Sequence, residues 1–336
     1  MKEVIKIERE IMMKKFIKEN KFYLITMIII MILFNVRLPY YINTPGGTID
    51  IGNRIECEGF DGYNGSLNML YVTEYVATIP TYLMSYVIKD WDIENIEESQ
   101  ISNETPEEIE ERNKIMLDNS IQNAIYVAYE AAGKKIEIDN KKSYVVGILA
   151  DNGLEIGDEL IQLNGRDITD VSMVKDVIEE HEIGDSLTFQ IIRNDKKKEV
   201  VVPIKEVEEQ KGIGVVIVTN YEYDVEPEVE LKFKASESGS SGGLMMALSI
   251  YSAISDEDIL KGRNVAGTGT IDSVGNVGEI AGIKYKIIGA VNDGMDVVLV
   301  PSANYQEAKE LVKERNYDIE VVEVKTFDDA ITYLSK

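Results

Sequence analysis

Leu244-Met245-Met246-Ala247-Leu248-Ser249-Ile250-Tyr251-Ser252-Ala253-Ile254 follows directly on Gly239-Ser240-Ser241-Gly242-Gly243. The first segment is a mostly apolar run long enough for a buried helix, so the fold must supply a core around it. Ser241 then sits at or just before that helix's N-terminus, where unpaired backbone N–H groups and the helix dipole favour negative charge. An oxyanion forming during acyl transfer would be stabilised there. Gly239 and Gly242 support the turn, because glycine permits positive φ and close approach of a substrate backbone, and Ser240 stands between them as a further supporting residue.

A serine hydroxyl is a weak nucleophile without a base. The chain has one histidine, His181, within the charged stretch Glu179-Glu180-His181-Glu182-Ile183-Gly184-Asp185, which reads as an exposed turn. Lysine remains. Its ordinary pKa near ~10.4 must fall before it can accept a proton, and burial among apolar groups lowers it. The segment Ile280-Ala281-Gly282-Ile283-Lys284-Tyr285-Lys286-Ile287-Ile288 offers such surroundings. On a helix starting near Ile283, Lys284 shares a face with Ile287 and Ile288. Lys284 is therefore the expected base and Lys286 the expected solvated lysine.

With these residues in place, the stretch from about Gly212 to Leu334 resembles the proteolytic domain of Lon-type Ser-Lys peptidases. Gly239-Ser240-Ser241-Gly242-Gly243 stands where that family has Gly-Pro-Ser-Ala-Gly, which implies Ser241 as nucleophile. Ala281-Gly282-Ile283-Lys284 stands where it has Gly-Gly-(Leu/Ile/Val)-Lys, which implies Lys284 as base. Gly267-Thr268-Gly269-Thr270-Ile271 resembles the family's Thr-Gly strand, with Thr268 as the hydroxyl holding the lysine. Ser240 for Pro, Gly242 for Ala and Ala281 for Gly are departures, all among small residues.

Other readings stand beside this one. A lone Gly-Ser-Ser-Gly-Gly is more often a linker or turn, and similar loops cradle phosphates in kinases of the galactokinase and mevalonate kinase type. A lysine on an amphipathic helix is usually a surface residue. The two motifs together, with matching separation and flanks, are far more specific.

Phe22 to Val36 is apolar but for Thr26 and Asn35, and Leu38-Pro39-Tyr40-Tyr41-Ile42 extends it. As a helix, 22–42 would span roughly 30 Å and match a bilayer core. Lys14, Lys15, Lys18 and Lys21 flank it, predicting a cytoplasmic tail over 1–21, a transmembrane anchor over 22–42 and an extracytoplasmic body. A cleaved signal peptide would want a small-x-small site, and Leu38-Pro39-Tyr40-Tyr41 is a poor one. The net charge of −25 argues against nucleic acid as a partner. One cysteine allows no internal disulfide. No Gly-x-x-x-x-Gly-Lys-(Ser/Thr) or His-Glu-x-x-His occurs, so neither an ATPase phosphate loop nor a zinc site is expected. No cofactor is expected.

After the anchor, 43–140 reads as a segment packing with the protease domain. Leu67–Thr73 reads as a strand and Thr78–Ile88 as a Pro-started helix. The acidic run Asp90–Glu111 reads as a solvated face. Thr105-Pro106-Glu107-Glu108 starts a helix with an N-cap, Pro at N1 and a capping-box glutamate, and Gly133 stops it. Over 141–206, Gly153-Leu154-Glu155-Ile156-Gly157-Asp158-Glu159-Leu160-Ile161-Gln162-Leu163-Asn164-Gly165 resembles the PDZ signature. A PDZ domain is a small β-barrel with helices that takes a peptide as an added strand. Val145, Val146 and Gly147 are the expected edge, although Ala150-Asp151-Asn152 replaces the usual Ser-Pro-Ala. The protease domain occupies 211–336.

The fold class expected is therefore α+β: a transmembrane helix, a PDZ domain and a Lon-type proteolytic domain. The whole chain, including Tyr40-Tyr41-Ile42-Asn43-Thr44-Pro45-Gly46-Gly47, resembles bacterial membrane-anchored PDZ-domain proteases. That resemblance implies an ATP-independent serine endopeptidase acting on extracytoplasmic peptides or membrane-proximal proteins. Lon-type domains often assemble into rings, so a homo-oligomer is compatible with it. The alternative is a catalytically silent PDZ adaptor that binds peptides at the membrane surface.

Overall fold

The computed structural model describes residues 2–96, 104–207, 209–234, 237, 239–255 and 257–336. The chain divides into two units, 1–44 with 73–100, and 45–72 with 101–336.

In the first unit, helices α1 (Lys2–Glu19) and α2 (Lys21–Asn35) precede strand β1 (Arg37–Asp50), which enters the second unit. Strand β2 (Ser66–Thr78) returns and leads into helix α3 (Ile79–Ser85), which has Pro80 in its first turn. Strand β3 (Asp92–Asn95) then pairs antiparallel with Tyr40–Asn43 of β1. The acidic run continues into 97–103, outside the described residues.

The expected membrane anchor is overturned here. The apolar run is helical only to Asn35, and Val36 turns extended at φ −69°, ψ 115°. Leu38-Pro39-Tyr40-Tyr41-Ile42 belongs to β1 instead. The reason is local. Pro39 cannot donate within a helix and biases Leu38 towards extended backbone, and Val, Tyr and Ile favour strands. The 15 residues of α2 measure only about 22 Å along the axis. Among the described residues no helix is long and apolar enough to cross a membrane. The single-pass topology and the extracytoplasmic placement built on it fall with the anchor. The architecture is mixed α+β.

Two large sheets organise the second unit among the described residues. Helix α4 (Pro106–Ala132) starts with the predicted capping box, Thr105 with Glu108, and ends at left-handed Gly133. Strand β4 (Lys135–Ile148) opens a sheet completed by β5 (Glu159–Leu163), β6 (Ser186–Arg193), β7 (Lys196–Pro203) and β8 (Val215–Glu226). The strand order is β8-β4-β5-β6-β7. Helix α5 (Val171–Glu180), capped by Asp170, packs beside β8. Val145, Leu160, Phe189, Ile191 and Val202 fill the core of this sheet.

The other sheet is built around the predicted buried helix, α6 (Gly243–Ile254). Strands β9 (Asn264–Gly267) and β10 (Thr270–Ile271) follow it, then α7 (Ile283–Asn292), β11 (Val297–Pro301), α8 (Ser302–Arg315), β12 (Glu320–Val324) and α9 (Phe327–Leu334). The order runs β12-β11-β9-β2-β1, with β9 parallel to both β11 and β2. Both faces are covered, as parallel strands require. Leu67, Val265, Val297 and Leu299 join α6 on one face, while Leu70, Ala266, Val298 and Val300 join α7 and α8 on the other. From Leu244 to Ile250 every side chain of α6 is buried.

Candidate active site

Ser241 lies on the turn that enters α6, one residue before the N-cap Gly242. Two close approaches hold the turn. A Cβ on Gly242 would lie 1.9 Å from Met69 Sδ, and one on Gly243 would lie 2.9 Å from the backbone nitrogen of Ile271. The carbonyl of Ser241 accepts from Gly269 N at 2.8 Å and from Thr268 Oγ1 at 3.0 Å. Ser120 Oγ, from α4, donates to the carbonyl of Ser240 at 3.2 Å.

The lysine that meets Ser241 is Lys286. Its Nζ donates to Ser241 Oγ at 2.8 Å and to Thr268 Oγ1 at 2.9 Å. Lys286 is 3% exposed and Thr268 is fully buried. Burial lowers the Lys286 amine from its ordinary 10.5 to about 8, since a charged ammonium loses its hydration there. Lys284, the base expected from the sequence, is only half-buried and has its Nζ 5.3 Å from the centre of the Tyr285 ring.

Helix phase explains the difference. Ile283, Lys286, Ile287 and Ala290 are all buried, an i, i+3, i+4, i+7 stripe that faces the core. Counting the stripe from Lys284 instead of Ile283 puts the wrong lysine inside. The full stripe was the signal available. Two contacts set this phase. Asn304 accepts from Ile280 N at 3.0 Å and donates to its carbonyl at 2.9 Å, clamping the segment before α7. Gly289 lets α7 approach β1 closely, since a Cβ there would sit 3.1 Å from Gly47 N.

The site thus brings together Ser241, Thr268 and Lys286, with Ser240 and Gly242 forming the turn. Gly239, at φ +97°, begins it. His181 ends α5, and its Nδ1 lies 2.7 Å from the Val177 carbonyl.

Val145, Val146 and Gly147 do not form an open edge. Gly147 pairs with Val216 and Val145 with Ile217 in β8. On the other side Val145 N donates to the Asp158 carbonyl, and the Val145 carbonyl accepts from Gly157 N. The covering strand lies beyond residue 206, so a reading confined to 141–206 leaves out the last strand of the sheet. Among the described residues, β8 is the outermost strand on that side.

Comparison with known proteins agrees with this architecture. Residues 234–335 match the Lon protease (S16) C-terminal proteolytic domain, and 146–204 match the PDZ domain. The Lon protease of Neorickettsia sennetsu is 32% identical over 98 residues, covering 29% of this chain and 12% of that protein. The Lon protease of Roseiflexus castenholzii is 36% identical over 95 residues, covering 28% and 12%. The chain therefore matches only about an eighth of these relatives' length. The PDZ domain of an SdrC-like protein from Listeria monocytogenes is 19% identical with a TM-score of 0.23, covering 24% of this chain and 93% of that one. The Lon matches support a serine peptidase.

Proposed function

We propose that the chain is a serine endopeptidase in which Ser241 is the nucleophile and Lys286 the general base. The observation that carries this is the 2.8 Å contact between Lys286 Nζ and Ser241 Oγ with the lysine removed from water. A neutral amine has two N–H donors and one lone pair. When the amine is neutral, one N–H stays on Thr268 Oγ1 and the lone pair takes the place of the N–H that the ammonium gives to Ser241 Oγ. The amine takes the Ser241 proton as Oγ attacks the scissile carbonyl. The resulting oxyanion develops near the N-terminus of α6, whose dipole favours it. Lys286 then returns the proton to the leaving amine, which departs and leaves an ester on Ser241. Water, deprotonated by the same amine, hydrolyses the ester and regenerates the pair.

Burial of a lysine disfavours its charged form, and a catalytically silent adaptor has no use for that arrangement. The sequence carries no phosphate-loop motif, so cleavage is proposed to proceed without ATP hydrolysis by this chain. Peptides or proteins are the substrates proposed. The outer edge of β8, beside α5, replaces Val145–Gly147 as the proposed place where an extended peptide adds to the sheet.

The test is labelling by a fluorophosphonate, which reacts with activated serines. The wild type is expected to label without added ATP, while Ser241→Ala and Lys286→Ala do not. Labelling retained in Ser241→Ala would move the nucleophile elsewhere.

A further inference from the structure

Consecutive residues of α4 grip two distant parts of the second unit. Asn119 Nδ2 donates to Asn220 Oδ1 at 3.0 Å and to the Thr219 carbonyl at 3.2 Å, both on β8. Asn220 is 3% exposed, and its Nδ2 donates to Asp118 Oδ2 at 2.7 Å and to the Ile115 carbonyl at 3.3 Å. The next residue, Ser120, is 2% exposed and donates to the carbonyl of Ser240, beside the proposed nucleophile. One turn later, Asn123 Nδ2 donates to Asn119 Oδ1 at 3.3 Å and to the Ile271 carbonyl at 3.1 Å. Ile271 follows Gly269, whose N–H holds the Ser241 carbonyl. A run of hydrogen bonds thus joins β8 to both segments that fix Ser241.

We propose that Asn119, Ser120 and Asn123 are positioning residues for the Ser241–Lys286 pair and tie its alignment to strand β8. The inference rests on the peptidase reading above. None of the three touches the reacting atoms. Ser240 belongs to the reacting turn and Ile271 to strand β10, and each has a carbonyl held by α4. Breaking a buried hydrogen bond leaves a polar group unpaired, so helix, strand and turn shift together rather than separately. A small displacement of a serine from its base lowers turnover steeply, since proximity and orientation supply much of the rate. Strand addition at β8 acts on the same run of contacts, because Thr219 and Asn220 belong to that strand.

The experiment compares the full-length wild type with Asn119→Ala, Asn220→Ala and Ser120→Ala on an internally quenched peptide library and by fluorophosphonate labelling. The expected result is a fall in kcat of about tenfold with KM nearly unchanged, and labelling slowed in step. The double variant Asn119→Ala/Asn220→Ala is expected to lose less than the product of the two single losses, because the two side chains share one bond. Should an alanine variant fail to fold, Asn123→Asp keeps the size of the side chain while removing both donated bonds, and is expected to show the same loss. Folded variants with wild-type kcat, or losses that only follow a lowered melting temperature, would overturn the inference. Failure of the peptidase reading looks different: the wild type itself would neither label nor cleave, which removes both.

Discussion

Thr268 Oγ1 donates to the carbonyl of Ser241 while accepting from Lys286 Nζ, at 3.0 and 2.9 Å. One hydroxyl thereby fixes the nucleophile's backbone and one N–H of the amine. Thr268→Val keeps the shape and removes both bonds. Turnover is expected to fall about tenfold or more with a cooperative melt preserved. Steady-state kinetics alongside thermal melting checks it, and unchanged kcat would take Thr268 out of the site.

Lys286→Ala is expected to lower peptide hydrolysis on the order of 10³-fold or more, and to add little to Ser241→Ala because the two act as a unit. Lys284→Ala is expected to stay within about threefold of wild type. The reverse ranking would restore Lys284 as the base.

The rate is expected to rise with pH through about 8, where the Lys286 amine becomes neutral. Below that value each pH unit lowers the neutral fraction about tenfold. A profile of kcat/KM against pH reads this directly. With chemistry rate-limiting, a flat profile between pH 6 and pH 9 would exclude a lysine base.

Lys286→Met removes a group whose folded-state pKa, about 8, lies below its ordinary 10.5. The unfolded chain therefore binds the proton more tightly, and wild-type stability rises as pH climbs between those values. At pH 7 the methionine variant is expected to be more stable by up to about 3 kcal/mol, with the gain shrinking towards pH 10. Thr268 Oγ1 keeps its bond to the Ser241 carbonyl after the substitution. Urea unfolding at both pH values measures the difference, and a gain that grows with pH would contradict the assignment.

Gly243→Ala is expected to impair fluorophosphonate labelling more than Gly242→Ala. The added methyl at Gly243 meets the backbone nitrogen of Ile271 at 2.9 Å, whereas at Gly242 it meets the flexible Met69 side chain. Equal labelling by the two variants would show that β10 yields as readily as a methionine.

The sequence by itself determined the local features. Leu244–Ile254 is mostly apolar and long enough for a buried helix, and the glycines before it placed Ser241 at its start. Thr105, Glu108 and Gly133 marked the ends of α4 through capping chemistry that acts within a few residues. Tertiary structure decided what depends on neighbours distant in the chain. Ile283, the Asn304 clamp and the approach of Gly289 to Gly47 set the phase of α7, turning Lys286 inward in place of Lys284. Pairing with Asp92–Asn95 helped draw the end of the apolar run into β1, although Pro39 already opposed a helix there. β8 covered Val145–Gly147 from beyond the segment in which the PDZ signature lies. Periodicity and capping report on a turn or two of chain, while a lysine's burial or a strand's partner is fixed by residues tens to hundreds of positions away.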